Sequence, residues 1–378
     1  AIRLDLYGGG ASNQFLICEN VEVLDFDIGI YADGGGIDTS ASLIDYVLYR
    51  GCRVRIQSAV DIPRSAATAH RCGEAVMLDN LFDNNADGDH TIYAIRNRRL
   101  HIKNNTLKNS PFHGVKAITN PGDAGTLEQW DISGNRFDTN DTAIVTSITA
   151  TLLLPQLTAD DNIVKTATPR MSSVASMWVV AADSSEIETV SINNFRMRDC
   201  TMAAVHFDVN STARIRRVSM NAPTIINWGT SSPGTYSGIT KGGSGPIDAF
   251  FVDEGYFDGN SNGRQPFNLE LNGVKAYYGK IHSTGCTLPH NGAVPQVSPI
   301  GNSGEKANLV GVAGRSAASV STTASATEQD LYSYTVKANS LAKDGASLRL
   351  RAWGRVASNA NAKTIRVKWD GNLLMVND

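Results

Sequence analysis

Two short segments of the sequence place acid-base side chains at equal spacing. His90 and Tyr93 are three residues apart, and so are His113 and Lys116. If the two segments lie side by side, one histidine meets the other and the phenol meets the ammonium group. An imidazole base, a phenolic acid and a cation are the groups needed to cleave a polymer of uronic acids by β-elimination.

Each step of that reaction has a candidate residue. A cation neutralises the substrate carboxylate and stabilises the enolate-like intermediate, a role that we predict for Lys116 together with Arg96. A base removes the proton from C5, and His113 or His90 is the candidate. An acid protonates the leaving oxygen, and Tyr93 is the candidate. The sequence therefore predicts a lyase site formed by these residues.

One geometric condition must hold for these side chains to converge. Residues three apart point to opposite faces of a straight strand, so a corner must separate the members of each pair. Gly88 and Gly114 make such a corner feasible. Without it, the same residues would form a solvated sheet face on which Tyr93 covers apolar surface.

Acidic residues near the first segment favour a competing reaction. Glycoside hydrolysis needs two carboxyl groups, ~5–5.5 Å apart in retaining enzymes and ~6.5–9.5 Å apart in inverting enzymes. Asp87 and Asp89 precede His90 in a loop rich in Asn and Gly that could overhang the same groove. A second acidic cluster comprises Asp253, Glu254 and Asp258. Because such residues also serve as ordinary turn formers, hydrolysis stays an alternative to elimination.

The sequence contains one partial metal-binding motif. The first half of a calcium-binding EF-hand loop is matched by Asp83, Asn85, Asp87 and Gly88. Its twelfth position requires a bidentate Glu, and Ala94 stands there. We therefore predict no metal and no cofactor.

Three further residues are predicted to bind substrate. His206 and Asp208 alternate on one strand and are expected to point outward together. Trp130 carries a ring that suits the C–H face of a pyranose, as does that of Trp178. Isolated aromatic residues are more often buried in a core, so both roles stay open for the tryptophans.

These segments belong to a chain built from internal repeats. Residues 100–107, 130–137 and 190–197 align with one another, so that Ile102, Ile132 and Ile192 are equivalent. Residues 76–82 fit the same frame. Each repeat contains short alternating apolar runs separated by Asn or Gly corners, which indicates strands and turns rather than helices.

One such repeat cannot bury its apolar side alone, whereas coils stacked at ~4.8 Å form a continuous core. The sequence therefore predicts an all-β fold, a right-handed parallel β-helix of about eight to ten coils from near Gln14 to near Val297. Inward positions of the third strand are predicted at Ile92, Ala94, Val115, Ala117, Ile144, Thr146, Val205 and Phe207. The recurrent Asn80, Asn105, Asn135 and Asn193/Asn194 are interpreted as structural corner residues.

The composition changes towards the end of the chain. Residues 301–327 are rich in Gly, Ser, Thr and Ala, as expected of a boundary. Alternating runs at 330–336, 347–353 and 364–369 then predict a small antiparallel β-sandwich. The predicted domains are the β-helix, residues 1–305, and the β-sandwich, residues 306–378, with further chain expected beyond both ends.

The charge of the chain is nearly balanced, with a formal net charge of −3 over 378 residues. Its scattered basic residues form no broad electrostatic footprint for nucleic acid or for an anionic membrane surface. No apolar run approaches the ~18–20 residues that span a bilayer. We therefore expect no nucleic-acid partner and no membrane insertion. The five cysteines lack a CxxC pair and are predicted to be buried free thiols.

The coils typified by residues 131–137, followed by the sandwich segment 328–369, resemble those of bacteriophage tailspikes. The resemblance covers nearly the whole chain and is one of architecture rather than of a diagnostic motif. It implies a homotrimeric, pectate-lyase-like β-helix on the virion that binds, and often cleaves, a bacterial surface polysaccharide such as capsule or lipopolysaccharide. Lyase, hydrolase and non-catalytic adhesin remain open, as does a cellular polysaccharide lyase or epimerase.

Overall fold

The computed structural model of the chain contains two compact units, Ala1–Gly311 and Val312–Asp378. Its described residues are 2–5, 14–26, 29–34, 44–56, 65–84, 90–110, 112–138, 142–165, 167, 175–263, 265–269, 274, 276–278, 281–286, 365–369 and 372–377. No helix among them is long and apolar enough to cross a membrane.

The first unit is built from three parallel sheets of ten strands each, with the strands numbered in chain order. Sheet 1 comprises β1 (Ile2–Asp5), β4 (Ile30–Asp33), β7 (Ala67–His70), β10 (His90–Ile95), β13 (His113–Ile118), β16 (Thr142–Ile148), β19 (Ala175–Ala181), β22 (Ala203–Val209), β25 (Ile239–Gly242) and β28 (Phe267–Leu269). Sheet 2 comprises β2 (Phe15–Glu19), β5 (Ile44–Arg50), β8 (Cys72–Leu78), β11 (Arg99–Lys103), β14 (Gln129–Ser133), β17 (Leu153–Thr158), β20 (Glu186–Ser191), β23 (Arg214–Asn221), β26 (Ile247–Asp253) and β29 (Ala276–Tyr278).

Sheet 3 comprises β3 (Glu22–Phe26), β6 (Arg53–Ile56), β9 (Leu81–Asn84), β12 (Thr106–Lys108), β15 (Arg136–Asp138), β18 (Ile163–Val164), β21 (Arg196–Cys200), β24 (Thr224–Trp228), β27 (Gly255–Asp258) and β30 (Ile281–Thr284). Every third strand of the chain thus returns to the same sheet and pairs with the strand one coil earlier. This order defines a parallel β-solenoid, and it confirms the predicted parallel β-helix.

The strand register confirms the repeat alignment. Ile102 pairs with Met77 on one side and with Ile132 on the other. Between residues 130–137 and 190–197 lies one further coil, containing β17 and β18, that the sequence comparison did not align. Its Leu157 pairs with Trp130 and with Val190, so the 60 residues from Ile132 to Ile192 correspond to two repeats rather than one.

The interior of the solenoid is filled by inward side chains from all three sheets. Each of the eight side chains predicted to point inward from sheet 1 is at most 1% exposed. One continuous apolar cluster extends along the coils, from Cys18 to Ala276. Each coil therefore covers the open apolar edge of the next, which is what a single coil lacks. Of the five cysteines, all free, Cys286 alone is not fully buried.

A ladder of buried asparagines closes the corner between sheets 2 and 3. Its members, each at most 2% exposed, are Asn80, Asn105, Asn135 and Asn162. The Asn105 Oδ1 accepts hydrogen bonds from the backbone nitrogen of Asn80 at 3.0 Å and from its side-chain amide at 2.9 Å. In the same way, the backbone and side-chain amides of Asn105 donate to Asn135 Oδ1, and those of Asn135 donate to Asn162 Oδ1. The structural role predicted for Asn80, Asn105 and Asn135 is confirmed.

The left-handed backbone at this corner belongs to the residue before each ladder asparagine. Asn104, for example, has φ 57° and Gly134 has φ 68°. The ladder does not continue to Asn193 and Asn194, because the buried position is taken there by Phe195. Asn194 instead has φ 51° and donates to Asp161 Oδ1 at 3.0 Å.

The second unit contains one described antiparallel hairpin, formed by β31 (Ile365–Trp369) and β32 (Asn372–Asn377). It includes the last of the three predicted strands of the sandwich. The other two, at 330–336 and 347–353, lie outside the described residues. The β-sandwich therefore stays a prediction.

Candidate functional site

Two columns of side chains on the outward face of sheet 1 contain four of the predicted site residues, Tyr93, Lys116, His206 and Asp208. In the first column, strand by strand, are Tyr31, Thr68, Tyr93, Lys116, Val145, Trp178, His206 and Thr240. In the second, two residues further along each strand, are Asp33, His70, Ile95, Ile118, Ser147, Val180, Asp208 and Gly242. Neighbours in a column are ~4.8 Å apart, so side chains from successive coils can contact one ligand.

Four of the predicted residues form one cluster, the His–Tyr–Lys cluster, which consists of His90, Tyr93, His113 and Lys116. The Nδ1 atoms of His90 and His113 are 2.9 Å apart. The His90 ring packs edge-on against Tyr93, with 4.9 Å between ring centroids. The Lys116 ammonium lies 5.0 Å from the centroid of the Tyr93 ring. The predicted register, His90 beside His113 and Tyr93 beside Lys116, is confirmed.

The convergence depends on a turn at the start of β10 and β13. Because the rings of His90 and Tyr93 touch, both lie on one side of the sheet, as the predicted corner requires. At Gly114 a Cβ would lie 2.6 Å from the Phe137 ring. A glycine thus lets the chain approach the core closely just after His113. The other predicted corner residue, Gly88, lies outside the described residues.

Burial sets the protonation state of both histidines in the cluster. His90 is 2% exposed, and its burial, with the nearby charges of Lys116 and His113, lowers its pKa to about 2. Burial and the charge of Lys116 lower the pKa of the half-buried His113 to about 4. Both imidazoles are therefore neutral near neutral pH, and in the hydrogen bond between them one ring donates and the other accepts.

Arg96 lies at the corner that follows β10, where its backbone is left-handed, with φ 48°. Burial lowers the pKa of its guanidinium, an effect that Asp123 opposes and Arg71 increases. Arg71 occupies the same corner one coil earlier, and its backbone N–H donates to the carbonyl of Ile95 at 2.7 Å. Two buried arginines are therefore stacked at the end of the sheet 1 strands. The shared action of Arg96 and Lys116 on one carboxylate stays a prediction.

Sequence reasoning missed three residues that extend the cluster towards the start of the chain. The His70 ring packs edge-on between Tyr93 and Tyr31, with centroid distances of 5.1 and 5.7 Å. Asp33 Oδ2 accepts a hydrogen bond from the Tyr31 hydroxyl at 3.1 Å and lies 3.6 Å from His70 Nδ1. The repeat alignment began at residue 76, whereas the register that brings these residues together is set by β4 and β7.

A second polar cluster, the His206 subsite, consists of Trp178, His206, Asp208 and Gly242 on the same face. His206 Nδ1 is 2.6 Å from the Thr240 hydroxyl, and its ring centroid is 6.5 Å from that of Trp178. Burial lowers the pKa of His206, an effect that Asp208 partly offsets. A Cβ at Gly242 would lie 3.0 Å from His206 Nε2 and 3.7 Å from Asp208 Oδ1. The glycine therefore leaves a notch bordered by an imidazole and a carboxylate.

The remaining predicted site residues have different outcomes. Trp130 is fully buried, and its Nε1 donates to the carbonyl of Asn97 at 2.9 Å. The predicted sugar-binding role of Trp130 is therefore wrong, because its ring fills the core. Asp87 and Asp89 lie outside the described residues. Glu254, from the second acidic cluster, is exposed and has a left-handed backbone, with φ 51°, as in an ordinary turn.

An open groove of about 420 Å³ lies on the outward face of sheet 2. It is lined by Arg99, Glu128, Gln129, Pro155, Gln156 and Thr189. The Arg99 guanidinium lies 3.5 Å from Glu74 and 3.4 Å from Glu128, so its charge is balanced within the protein. The groove thus offers mainly amide and hydroxyl groups to a ligand.

Within the described ranges, no three His, Cys, Asp or Glu side chains are placed to hold a metal ion together. Comparison of the chain with protein-family models, with curated proteins and with solved structures finds no match.

Proposed function

We propose that this chain is a polysaccharide lyase that binds an acidic polysaccharide along the outward face of sheet 1. The observation that carries the proposal is the packing of two imidazoles, a phenol and an ammonium group in the His–Tyr–Lys cluster. β-Elimination from a uronic acid uses a base, an acid and a cation at one place, and this cluster supplies all three.

Each group has a role in the proposed reaction. Lys116 pairs with the substrate carboxylate and stabilises the negative charge that develops on it. His113 accepts the C5 proton, because its imidazole is neutral above about pH 4. The electrons of the C5–H bond form a C4=C5 double bond while the C4–O bond breaks. The Tyr93 hydroxyl gives its proton to the leaving oxygen.

The His206 subsite suggests how the polymer lies on the face. Tyr93 and His206 stand in one column, four strands apart, which corresponds to about 19 Å along the solenoid. A polysaccharide that crosses the strands would contact both clusters. Trp178 offers ring surface to one sugar, while His206 and Asp208 hydrogen-bond its hydroxyl groups.

The resemblance to tailspikes supports a biological setting for the activity. In that setting the chain acts as a homotrimer on a phage virion, and its substrate is a bacterial capsule or lipopolysaccharide chain that contains uronic acid. The right-handed winding and the trimerising C-terminal sandwich are parts of the same proposal.

The decisive experiment compares the unaltered chain with Lys116→Ala on a panel of acidic capsules and O-chains. Polymer size and the ultraviolet absorbance of new C4=C5 ends are followed together. We expect the unaltered chain to shorten one substrate with new absorbance, and Lys116→Ala to lose at least ~100-fold in kcat. Lys165→Ala is the matched control, since Lys165 is exposed, directly follows β18 of sheet 3, and is paired with Asp138 at 3.3 Å. Full turnover by Lys116→Ala would refute the assignment.

A second candidate function is adhesion without cleavage, which the polar groove on sheet 2 favours. Its amide and hydroxyl groups suit binding of a neutral glycan. Binding of a panel polysaccharide whose size does not change would support adhesion. Shortening with new reducing ends but without absorbance would instead support the hydrolase alternative and the carboxylates Asp87 and Asp89.

A further inference from the structure

The notch at Gly242, in the His206 subsite, suits an oxygen atom better than a carbon atom. A Cβ at this position would have three side-chain atoms as its nearest neighbours, His206 Nε2 at 3.0 Å, His206 Cε1 at 3.1 Å and Asp208 Oδ1 at 3.7 Å. A methyl group would be crowded there, because carbon atoms pack at ~3.5 Å or more. An oxygen 3.0 Å from a ring nitrogen is instead at ordinary hydrogen-bonding distance.

The backbone on both sides of the notch is held in place. A Cβ at Gly243 would lie 2.1 Å from the carbonyl oxygen of Val209, and the φ of Gly243 is 71°, so a glycine is required where the chain lies against the end of β22. The buried Lys241 donates from Nζ to the Gly243 carbonyl at 2.7 Å. The φ of Gly242 lies outside the left-handed region. What Gly242 contributes is therefore the space that a side chain would fill.

The two polar groups at the notch differ in hydrogen-bonding capacity. His206 Nδ1 lies 2.6 Å from the Thr240 hydroxyl, which can donate to it. We assign the tautomer from this contact, so the neutral ring carries its hydrogen on Nε2, the nitrogen at the notch. The carboxylate of Asp208 only accepts hydrogen bonds. A ligand atom that accepts from Nε2 and also donates to Asp208 is the oxygen of a hydroxyl group.

We propose that the His206 subsite selects a sugar with a free hydroxyl group and rejects the same sugar when that hydroxyl is O-acetylated. The hydroxyl oxygen accepts from His206 Nε2–H and donates its hydrogen to Asp208. Acetylation removes that hydrogen, so the bound ester would leave the carboxylate without a donor. A site that hydrogen-bonds a hydroxyl group discriminates strongly against an analogue that cannot make the bond. The inference rests on the proposed binding of a polysaccharide along sheet 1, and it makes Gly242, His206 and Asp208 specificity determinants of that binding.

Trp178 lies beside the notch and positions the sugar ring. It pairs with His206 in the strand register, and the two ring planes are inclined by 55° with 6.5 Å between centroids. The indole supports the C–H face of a pyranose while one hydroxyl at the edge of the sugar enters the notch. The subsite is four strands, or about 19 Å, from Tyr93 along the solenoid. It therefore governs which polymer binds and does not touch the bond that the proposed reaction breaks.

The test measures the Kd of each panel polysaccharide after mild base has removed its O-acetyl groups, and again after chemical O-acetylation. Every chain carries Lys116→Ala, so that the proposed reaction does not cut the polymer during the measurement. We expect acetylation to weaken binding to the reference chain at least ~10-fold. Asp208→Ala should bind the deacetylated polymer at least ~10-fold more weakly and lose most of the preference for it. Asp248→Ala is the matched control, because this carboxylate lies on β26 of sheet 2 and pairs with Arg214 at 2.8 Å.

Gly242→Ala is a second, independent variant. The atoms nearest to the added methyl group belong to side chains, and the backbone needs no left-handed φ, so the variant should fold. We expect it to bind the deacetylated polymer at least ~10-fold more weakly, since a carbon atom takes the place of the hydroxyl oxygen. Acetylation also modifies hydroxyl groups bound elsewhere, so the decisive quantity is the change in preference from one variant to the next.

The outcomes separate this inference from the proposed lyase function. An acetylation preference that is the same in the reference chain, Asp208→Ala and Gly242→Ala would overturn the notch and leave the lyase proposal intact. A preference that depends on the notch, in a chain that cuts no polysaccharide when Lys116 is present, would overturn the lyase proposal and leave the notch. If the chain binds none of the polysaccharides, with or without Lys116, both proposals are wrong.

Discussion

Replacing one asparagine of the buried ladder tests the physical account of the solenoid most directly. Asn105 makes four side-chain hydrogen bonds. Its Oδ1 accepts from the backbone and the amide of Asn80 at 3.0 and 2.9 Å. Its Nδ2 donates to the Met77 carbonyl at 2.9 Å and to Asn135 Oδ1 at 3.0 Å. All of these groups are buried, so water cannot replace the lost partner without a local opening.

The magnitude follows from the groups that Asn105→Ala would leave without a partner. The backbone N–H of Asn80 and the Met77 carbonyl each lose the hydrogen bond that Asn105 makes to them. The side-chain amide of Asn80 loses its bond to Asn105 but still donates to the Tyr49 carbonyl at 2.9 Å. A buried polar group left unpaired costs ~1–3 kcal/mol. We therefore expect the variant to lose at least about 2 kcal/mol, a large fraction of the ~5–15 kcal/mol that stabilises a typical domain.

Urea unfolding followed by tryptophan fluorescence measures this loss. Trp130 is fully buried and pairs with Leu100, in the same coil as Asn105, so its emission reports on that coil. Asn221→Ala is the matched control, because Asn221 is exposed at the end of β23. We expect the control to stay within about 0.5 kcal/mol of the unaltered chain. Equal urea midpoints for the two variants would show that the ladder does not stabilise the fold.

Two further predictions concern titratable groups. Burial and the charge of Lys116 lower the pKa of His113 from an ordinary 6.5 to about 4 in the folded chain. As the pH falls, His113 therefore binds a proton in the unfolded chain at a higher pH than it does in the folded chain. The free energy of unfolding is therefore unaffected by His113 above pH 6.5 and falls by about 3 kcal/mol as the pH is lowered towards 4. Between these pH values, the urea midpoint of His113→Gln should depend less on pH than that of the unaltered chain. Burial raises the pKa of the Cys18 thiol to about 11, and Cys52, Cys72 and Cys200 are also buried. An aromatic disulfide reagent should therefore titrate at most one thiol, Cys286, in the native chain and all five in denaturant; rapid reaction of a second native thiol would contradict the described burial.

The parts of the fold that repeat were predictable from the sequence. Alternation of apolar residues located the inward positions of sheet 1, and equal spacing placed His90 beside His113 and Tyr93 beside Lys116. Trp130 shows the limit of this reasoning. Its ring occupies an inward position in register with Leu100, and an inward aromatic cannot be distinguished from a sugar platform until the register is known.

The Asp33–His70 pair could not be found in the same way. Its members lie 37 residues apart in the chain, on strands that the repeat alignment did not reach. The interval between two coils varies, since each corner can hold a loop of different length without changing the strands. Residues 35–43 and 57–64, which lie between Asp33 and His70 in the sequence, are outside the described residues. Spacing alone therefore does not identify partners across this coil.

The geometry of a parallel solenoid explains why chemistry gathers on one of its faces. Side chains in one column recur at the strand spacing of ~4.8 Å, so a residue added to any coil acquires fixed neighbours above and below. Tyr93 has Thr68 and Lys116 as its column neighbours, and His70 and His90 reach its ring from adjacent positions. Sheet 1 thereby surrounds one phenol with a cation, a carboxylate-held imidazole and a neutral imidazole pair. The same spacing continues along sheet 1 to the His206 subsite, where the proposed lyase would bind the sugars that lie beyond the cleaved bond.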